Sequence, residues 1–105
     1  MMIEILQEFG IHHITGITSD VERMGAFYEE ALGLRIVKKS VNQDDPSTPH
    51  WFWASYDGSE IGPHSALTMF GWPTSNYRAR LGVGQTHHIA FRADDVAQLH
   101  EWREH

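Results

Sequence analysis

The alternation of apolar and polar residues predicts a β-α-β-β-β order over most of the chain. Ile and Thr dominate the first stretch, and the next has apolar residues at helical spacing (Val21, Met24, Tyr28 and Ala31, with Phe27 beside them). Three further stretches have the composition of strands. The predicted strands are Ile11–Thr18, Leu34–Val41, His50–Tyr56 and Ser65–Phe70, and together with the helix they indicate an α+β fold.

Polar residues and glycines mark the ends of these elements. The run from Ser19 to Glu22 fits a capping box at the start of the helix, and Gly33 stands where the helix would end. Asp44, Asp45 and Pro46 predict a turn, and Asp57-Gly58 predicts a hairpin with a long loop. In the third strand one face would carry His50, Phe52, Ala54 and Tyr56, and the other Trp51, Trp53 and Ser55.

A second copy of the opening pattern lies 75 residues further on. The sequence GIHHITGITSDVERMGAFY at residues 10–28 is similar to GQTHHIAFRADDVAQLHEW at residues 84–102, and an offset of 75 pairs His12-His13 with His87-His88 and Asp20-Val21 with Asp95-Val96. The repeat predicts one complete βαβββ module at 10–73, a linker at 74–84 and the β-α start of a second module at 85–105. Residues 1–9 have no counterpart and would form an extra strand or a loose end.

Composition narrows the classes of function. The 105 residues contain no cysteine, which excludes disulfides and thiolate metal sites. The net charge is −6, and the sequence has no concentrated group of basic residues that could form a face for binding nucleic acid. No apolar run is long enough to cross a membrane, so we expect a cytoplasmic protein. A single module would leave a sheet edge and one sheet face exposed, so we expect a homodimer or the remainder of a longer chain.

Histidine is the unusual residue, with eight copies, four of them in the pairs His12-His13 and His87-His88. In a regular strand only one member of each pair can face a common cavity, where neutral imidazole is a good metal ligand. A structural role and a ligand role both stay open for the pairs, whereas His50, His64, His100 and His105 are interpreted as structural. Asp94 and Asp95 predict a helix cap. The tryptophans Trp51, Trp53 and Trp72 predict core or interface.

Two adjacent lysines are the densest positive charge in the chain. Lys38 and Lys39 would place one charge on each face of the second strand. One of the two could therefore meet an anionic substrate.

The pattern resembles the vicinal oxygen chelate superfamily, which includes glyoxalase I, bleomycin-resistance proteins and extradiol dioxygenases. The stretches GIHHITGITSD, FYEEALGLRIVKKSVNQDDPSTPHWFWA and LTMFGWP are similar to the branch of ring-cleaving dioxygenases that act on hydroquinones and related aromatic diols. The later stretch GVGQTHHIAF is also similar, but it is less diagnostic. The resemblance implies an oxidoreductase whose partners are a small aromatic substrate and O2.

The resemblance also implies roles for individual residues. His13 would be a metal ligand, His12 a neighbour that acts on protons or substrate, and Thr15 a support on the same strand face. The metal would be Fe(II), with Mn(II) or another divalent ion as the alternative, held by two histidines and one glutamate. His88 would be the second ligand in a two-chain assembly or a relic of the repeat, with His87 beside it.

One departure from the family pattern keeps two other functions open. Glyoxalase-type sites have a carboxylate on the fourth strand of a module, whereas Ser65–Phe70 contains no acid. The alternatives are a non-catalytic ligand-binding dimer of the bleomycin-resistance kind and a glyoxalase-like lyase with a carboxylate supplied in trans.

Overall fold

The computed structural model describes residues 10–73 and 78–105. Its elements are β1 (His13–Thr18), α1 (Val21–Leu32), β2 (Arg35–Val41), β3 (Pro49–Ala54), β4 (Ala66–Gly71) and α2 (Val96–Glu104). The predicted extra segment at 1–9 and the first four positions of the predicted linker lie outside the described residues. The βαβββ order over residues 13–71 confirms the predicted α+β module.

The four strands form one sheet in the order β1-β4-β3-β2. β1 pairs with β4 in parallel, and β3 pairs antiparallel with both β4 and β2. A bulge interrupts the β2–β3 register between Ile36 and Lys38. β1 and β2 are therefore the two edges of the sheet, with β4 and β3 between them.

Local signals explain the ends of α1, although the predicted cap is wrong by one residue. Asp20, and not Ser19, is the N-cap, and its carboxylate accepts a hydrogen bond from the Arg23 backbone N–H at 3.0 Å. A carboxylate is a strong acceptor for the unpaired N–H groups of the first turn. Gly33 ends the helix in the left-handed region at φ 66°.

The core lies between α1 and one face of the sheet. Trp53 of β3 has no exposed surface and packs with Tyr28, Leu34 and Leu67. Gly25 allows the close approach of helix and sheet, because a Cβ there would lie 3.0 Å from the Trp53 Nε1 atom. Among the buried side chains in the described ranges, that Nε1 is the polar atom without a hydrogen-bond partner.

Residues 78–105 contain a helix but no strand, unlike the first module. The strand expected at the start of the second module, over residues 86–92, does not form: residues 78–95 pair with no strand in the described part of the chain. α2 does form, and Asp95 caps it by accepting from the Gln98 N–H. The helix still exposes its apolar side chains, with Val96 at 68%, Leu99 at 58% and Trp102 at 45% exposure.

Two features join this second segment to the first module. The His105 Nε2 atom lies 3.2 Å from the Glu30 carbonyl oxygen. A groove of about 650 Å³ is lined by both segments, by the end of α1 and residues 62–65 on one side and by residues 91–94 and α2 on the other. Neither described helix has the length and apolar character needed to cross a membrane.

Candidate functional site

The sheet face that points away from α1 carries the candidate site. Because side chains alternate along each strand, the register places residues 13, 15 and 17 of β1 on the same face as residues 66, 68 and 70 of β4. Residues 50, 52 and 54 of β3 join them across the next ladder. We call this surface the open face; its strand residues are His13, Thr15, Ile17, Arg35, Lys38, Ser40, His50, Phe52, Ala54, Ala66, Thr68 and Phe70.

His13 is the exposed imidazole at the start of β1 on this face. Its ring centroid lies 5.2 Å from that of Phe52 and 6.2 Å from that of His50. These contacts reach across β4, where Ala66 stands beside His13 in the register. The small side chain at 66 leaves room for His13 to meet residues of β3.

His12 stays close to His13 although the two are adjacent in sequence. Their Nδ1 atoms lie 2.8 Å apart, and the rings meet edge to face. His12 precedes the first residue of β1, so the strict alternation expected for a regular strand does not separate the pair. A hydrogen bond between two ring nitrogens needs one N–H and one lone pair. When His13 Nδ1 is the donor, its Nε2 keeps the lone pair that a metal ligand requires.

Three hydroxyl and imidazole groups form a hydrogen-bonded cluster in the middle of the open face. Thr68, which has no exposed surface, lies 2.6 Å from the Thr15 hydroxyl and 2.9 Å from His50 Nε2. Thr15 thus shares the face of His13, as predicted, and its hydroxyl bonds to Thr68. A buried hydroxyl with two partners fixes the positions of both neighbours.

His50, which was interpreted from the sequence as structural, also lies on the open face. Its ring lies between those of Phe52 and Phe70, at centroid distances of 4.6 and 4.3 Å. Burial lowers the pKa of His50, and the positive charges of His13 and Lys38 lower it further. The predicted alternation already grouped His50 with Phe52. The pairing of β1 with β4 brings His13 to the same place.

The second histidine pair lies apart from this cluster. His87 and His88 repeat the geometry of the first pair, with Nδ1 atoms 2.8 Å apart and the rings edge to face, but they are exposed and lie outside any strand. Within the described ranges no hydrogen bond or ring contact joins them to His12 or His13.

The open face offers one candidate metal ligand, His13, and not a complete set of ligands for a metal centre. In residues 10–73 and 78–105 no three His, Asp or Glu side chains converge as a metal site would require. β4 carries no acid, so this strand does not supply the carboxylate of a two-histidine, one-carboxylate centre. His13 has the exposure and the neighbouring hydrogen bond expected of a ligand.

The two lysines lie on opposite faces of β2, as the sequence predicted. Lys38 pairs with Phe52 on the open face, and its Nζ lies 5.4 Å from the centroid of that ring. Lys39 pairs with Trp51 on the side of α1, with Nζ 4.2 Å from a ring centroid. Both are cation–π contacts on an edge strand.

Comparisons with known proteins agree with this architecture. The sequence profile of the Glyoxalase/Bleomycin resistance protein/Dioxygenase superfamily matches residues 10–105. A crystal structure described as that of a "putative dioxygenase" from Bacillus subtilis superposes with a TM-score of 0.56 at 39% identity, covering 66% of this chain and 21% of that one.

Curated relatives are named for ring cleavage. "Putative ring-cleaving dioxygenase MhqA" of Bacillus subtilis is 38% identical over 97 residues, which is 90% of this chain and 29% of that protein. "Chlorohydroquinone/hydroquinone 1,2-dioxygenase" of Sphingobium indicum is 31% identical, over 91% of this chain and 29% of that protein. The chain therefore spans about three-tenths of the length of the curated relatives that it matches.

Proposed function

This chain belongs to the Glyoxalase/Bleomycin resistance protein/Dioxygenase superfamily, and on that premise we propose that it is a module of a ring-cleaving dioxygenase for aromatic diols. The observation that carries the proposal is the position of His13. It is an exposed imidazole on the open face, 5.2 Å from Phe52 and next to the Thr15–Thr68–His50 cluster. The names of MhqA and the hydroquinone dioxygenase support the same reaction class.

The metal would be Fe(II), or Mn(II), with His13 as one ligand in the assembled protein. Such a metal, when bound, brings a diol and O2 together and passes electron density between them. His88 would complete the histidine ligands if two copies assemble, with His87 beside it, and the carboxylate would come from outside the described module. This arrangement accounts for a module that has one well-placed imidazole and no acid on β4.

Other residues at the open face would move a proton, bind the aromatic ring and hold neighbouring side chains in place. His12 would hold or release a proton at Nδ1 of His13, across the 2.8 Å contact. Phe52 and Phe70 would provide apolar surface for an aromatic ring and exclude water from it. Thr15 and Thr68 would keep His50 in place beside that ring through the 2.9 Å bond from Thr68 to Nε2.

Replacing His13 tests the proposal. In the full natural protein, we expect His13→Ala to abolish Fe(II) binding and ring cleavage, measured by anaerobic native mass spectrometry and by oxygen consumption with hydroquinone. His100→Ala, an exposed histidine of α2, is the control and should keep both. Circular dichroism checks that the fold is intact. Retention of iron and activity by a folded His13→Ala protein would refute the assignment.

A second candidate function is ligand binding without catalysis. The acid-free β4 and the aromatic residues of the open face favour it. This alternative predicts that hydroquinone binds with unchanged affinity after complete removal of metal by a chelator. The dioxygenase proposal predicts that the affinity falls and that Fe(II) restores it.

A further inference from the structure

The charge on the open face differs in sign from that of the chain as a whole. The protein has a formal charge of −6, yet the twelve strand residues of the open face include no Asp or Glu and two cations, Arg35 and Lys38. A surface of one sign in a protein of the opposite sign attracts ligands that carry the complementary charge.

Lys38 and His13 approach the same aromatic ring from the two edges of the sheet. Lys38 is on β2, His13 is on β1, and Phe52 lies between them on β3. Lys38 Nζ is 5.4 Å, and the His13 ring centroid 5.2 Å, from the centre of Phe52. A single aromatic ring resting on Phe52 would thus have the imidazole on one side and the ammonium group on the other.

Lys38 has no carboxylate partner in the part of the chain that the structure describes. The ion pairs there are Arg92–Asp94 and Arg103–Glu104, both in the second segment. Lys38 is exposed, and a ligand lying over it would displace water from its ammonium group, so that ligand would have to supply a counter-charge. On this face the bound molecule is the group that can provide it.

We propose that Lys38 determines substrate specificity by binding a carboxylate on the aromatic diol. This inference rests on the proposed function, since it places the diol between His13 and Lys38. The ligand class is an aromatic diol with an anionic substituent, with one hydroxyl group towards His13 and the carboxylate towards Lys38. The contact is a charge-assisted hydrogen bond from Nζ to the carboxylate.

Lys39 provides a matched control. It is the same residue type on the same strand, also lies over an aromatic ring, and faces the α1 side of the sheet. Lys38→Met and Lys39→Met each remove one charge and keep most of the length of the side chain. Any general effect of net charge or of β2 stability should therefore appear in both variants.

The experiment compares two probes, hydroquinone and 2,5-dihydroxybenzoate, which differ by one carboxylate. Their dissociation constants are measured by isothermal titration calorimetry on the full natural protein, metal-free and then loaded anaerobically with Fe(II). We expect the wild type to bind the carboxylated diol more tightly by roughly three- to tenfold. Lys38→Met should lose this preference, Lys39→Met should keep it, and Lys38→Arg should restore most of it.

Each outcome decides the proposal. An equal preference in the wild type and Lys38→Met would overturn it, as would an equal loss in both methionine variants. If native mass spectrometry shows that Lys38→Met disrupts subunit assembly, Lys38 binds an acidic partner segment and the substrate assignment is wrong. If the wild type binds neither probe, the proposed diol site itself is refuted, which is a different result from binding without preference.

Discussion

The chain contains one pattern twice, and only the first copy is built into a sheet. Both copies have a His-His pair with Nδ1 atoms 2.8 Å apart and an Asp that caps a helix, at residues 20 and 95. In the first copy the helix buries Tyr28 against Trp53, whereas in the second Val96, Leu99 and Trp102 are exposed. Capping is a local interaction and occurs in both copies. Strand formation needs a neighbouring strand, which the second copy lacks in the described part of the chain.

The largest predicted effect comes from the tryptophan at the centre of the first module. We expect Trp53→Ala to lower the free energy of unfolding by about 3–5 kcal/mol, because it leaves a cavity beside Tyr28 and Leu67. The measurement is urea denaturation followed by circular dichroism. Trp102→Ala in α2 is the matched control and should change stability by less than about 0.5 kcal/mol. Similar losses in the two variants would mean that the segments share one core.

The two capping aspartates permit the same substitution in each copy. Asp20→Ala should lower the free energy of unfolding by about 1 kcal/mol, because α1 is part of the packed module. Asp95→Ala should leave the unfolding midpoint unchanged and reduce only the amide-exchange protection of α2. An equal shift of the midpoint in both variants would contradict the contrast between the copies.

The free energy of unfolding should decrease slightly in acid, because of a histidine in the first copy. His50 has a lowered pKa in the folded protein, so between that pKa and the ordinary value of 6.5 the unfolded chain binds more protons. The contribution of His50 to stability is therefore complete above pH 6.5 and decreases as the pH falls towards the folded pKa. Denaturation of the metal-free protein at several pH values should show this slope, and His50→Gln should flatten it. A His50→Gln protein with the wild-type slope would exclude His50 as the source.

Local sequence signals were sufficient to predict most of the first module. Three of these signals depend only on residues close together in the sequence. They are the helical spacing from Val21 to Ala31, the helix end at Gly33 and the alternation along residues 50–54. The cap was predicted one residue early because Ser19 and Asp20 are both good caps, and their local sequence does not decide between them. The bulge in β2 had no signal in composition or spacing.

The site was harder to predict, because it depends on contacts between distant strands. His13 and Thr15 could be named from the repeat and the resemblance, and the split of Lys38 and Lys39 followed from alternation. The contacts of His50 depend on which strands are neighbours: it meets Thr15 and His13 because β4 lies between β3 and β1. The strand predicted in the second copy was wrong for the same reason: residues 86–92 have the composition of a strand but no partner strand in the described ranges.

The parallel pairing of β1 with β4 sets an order of events during synthesis. Thr15 and Thr68, whose hydroxyls meet in the finished sheet, are 53 positions apart in the chain. On the ribosome β1 emerges early and has to wait until β4 has also left the exit tunnel, while the β2–β3 hairpin closes over a much shorter separation. His13 therefore cannot take its place in the sheet until β4 has been synthesised. A nascent chain stalled before residue 66 would hold its candidate metal ligand on an unpaired strand.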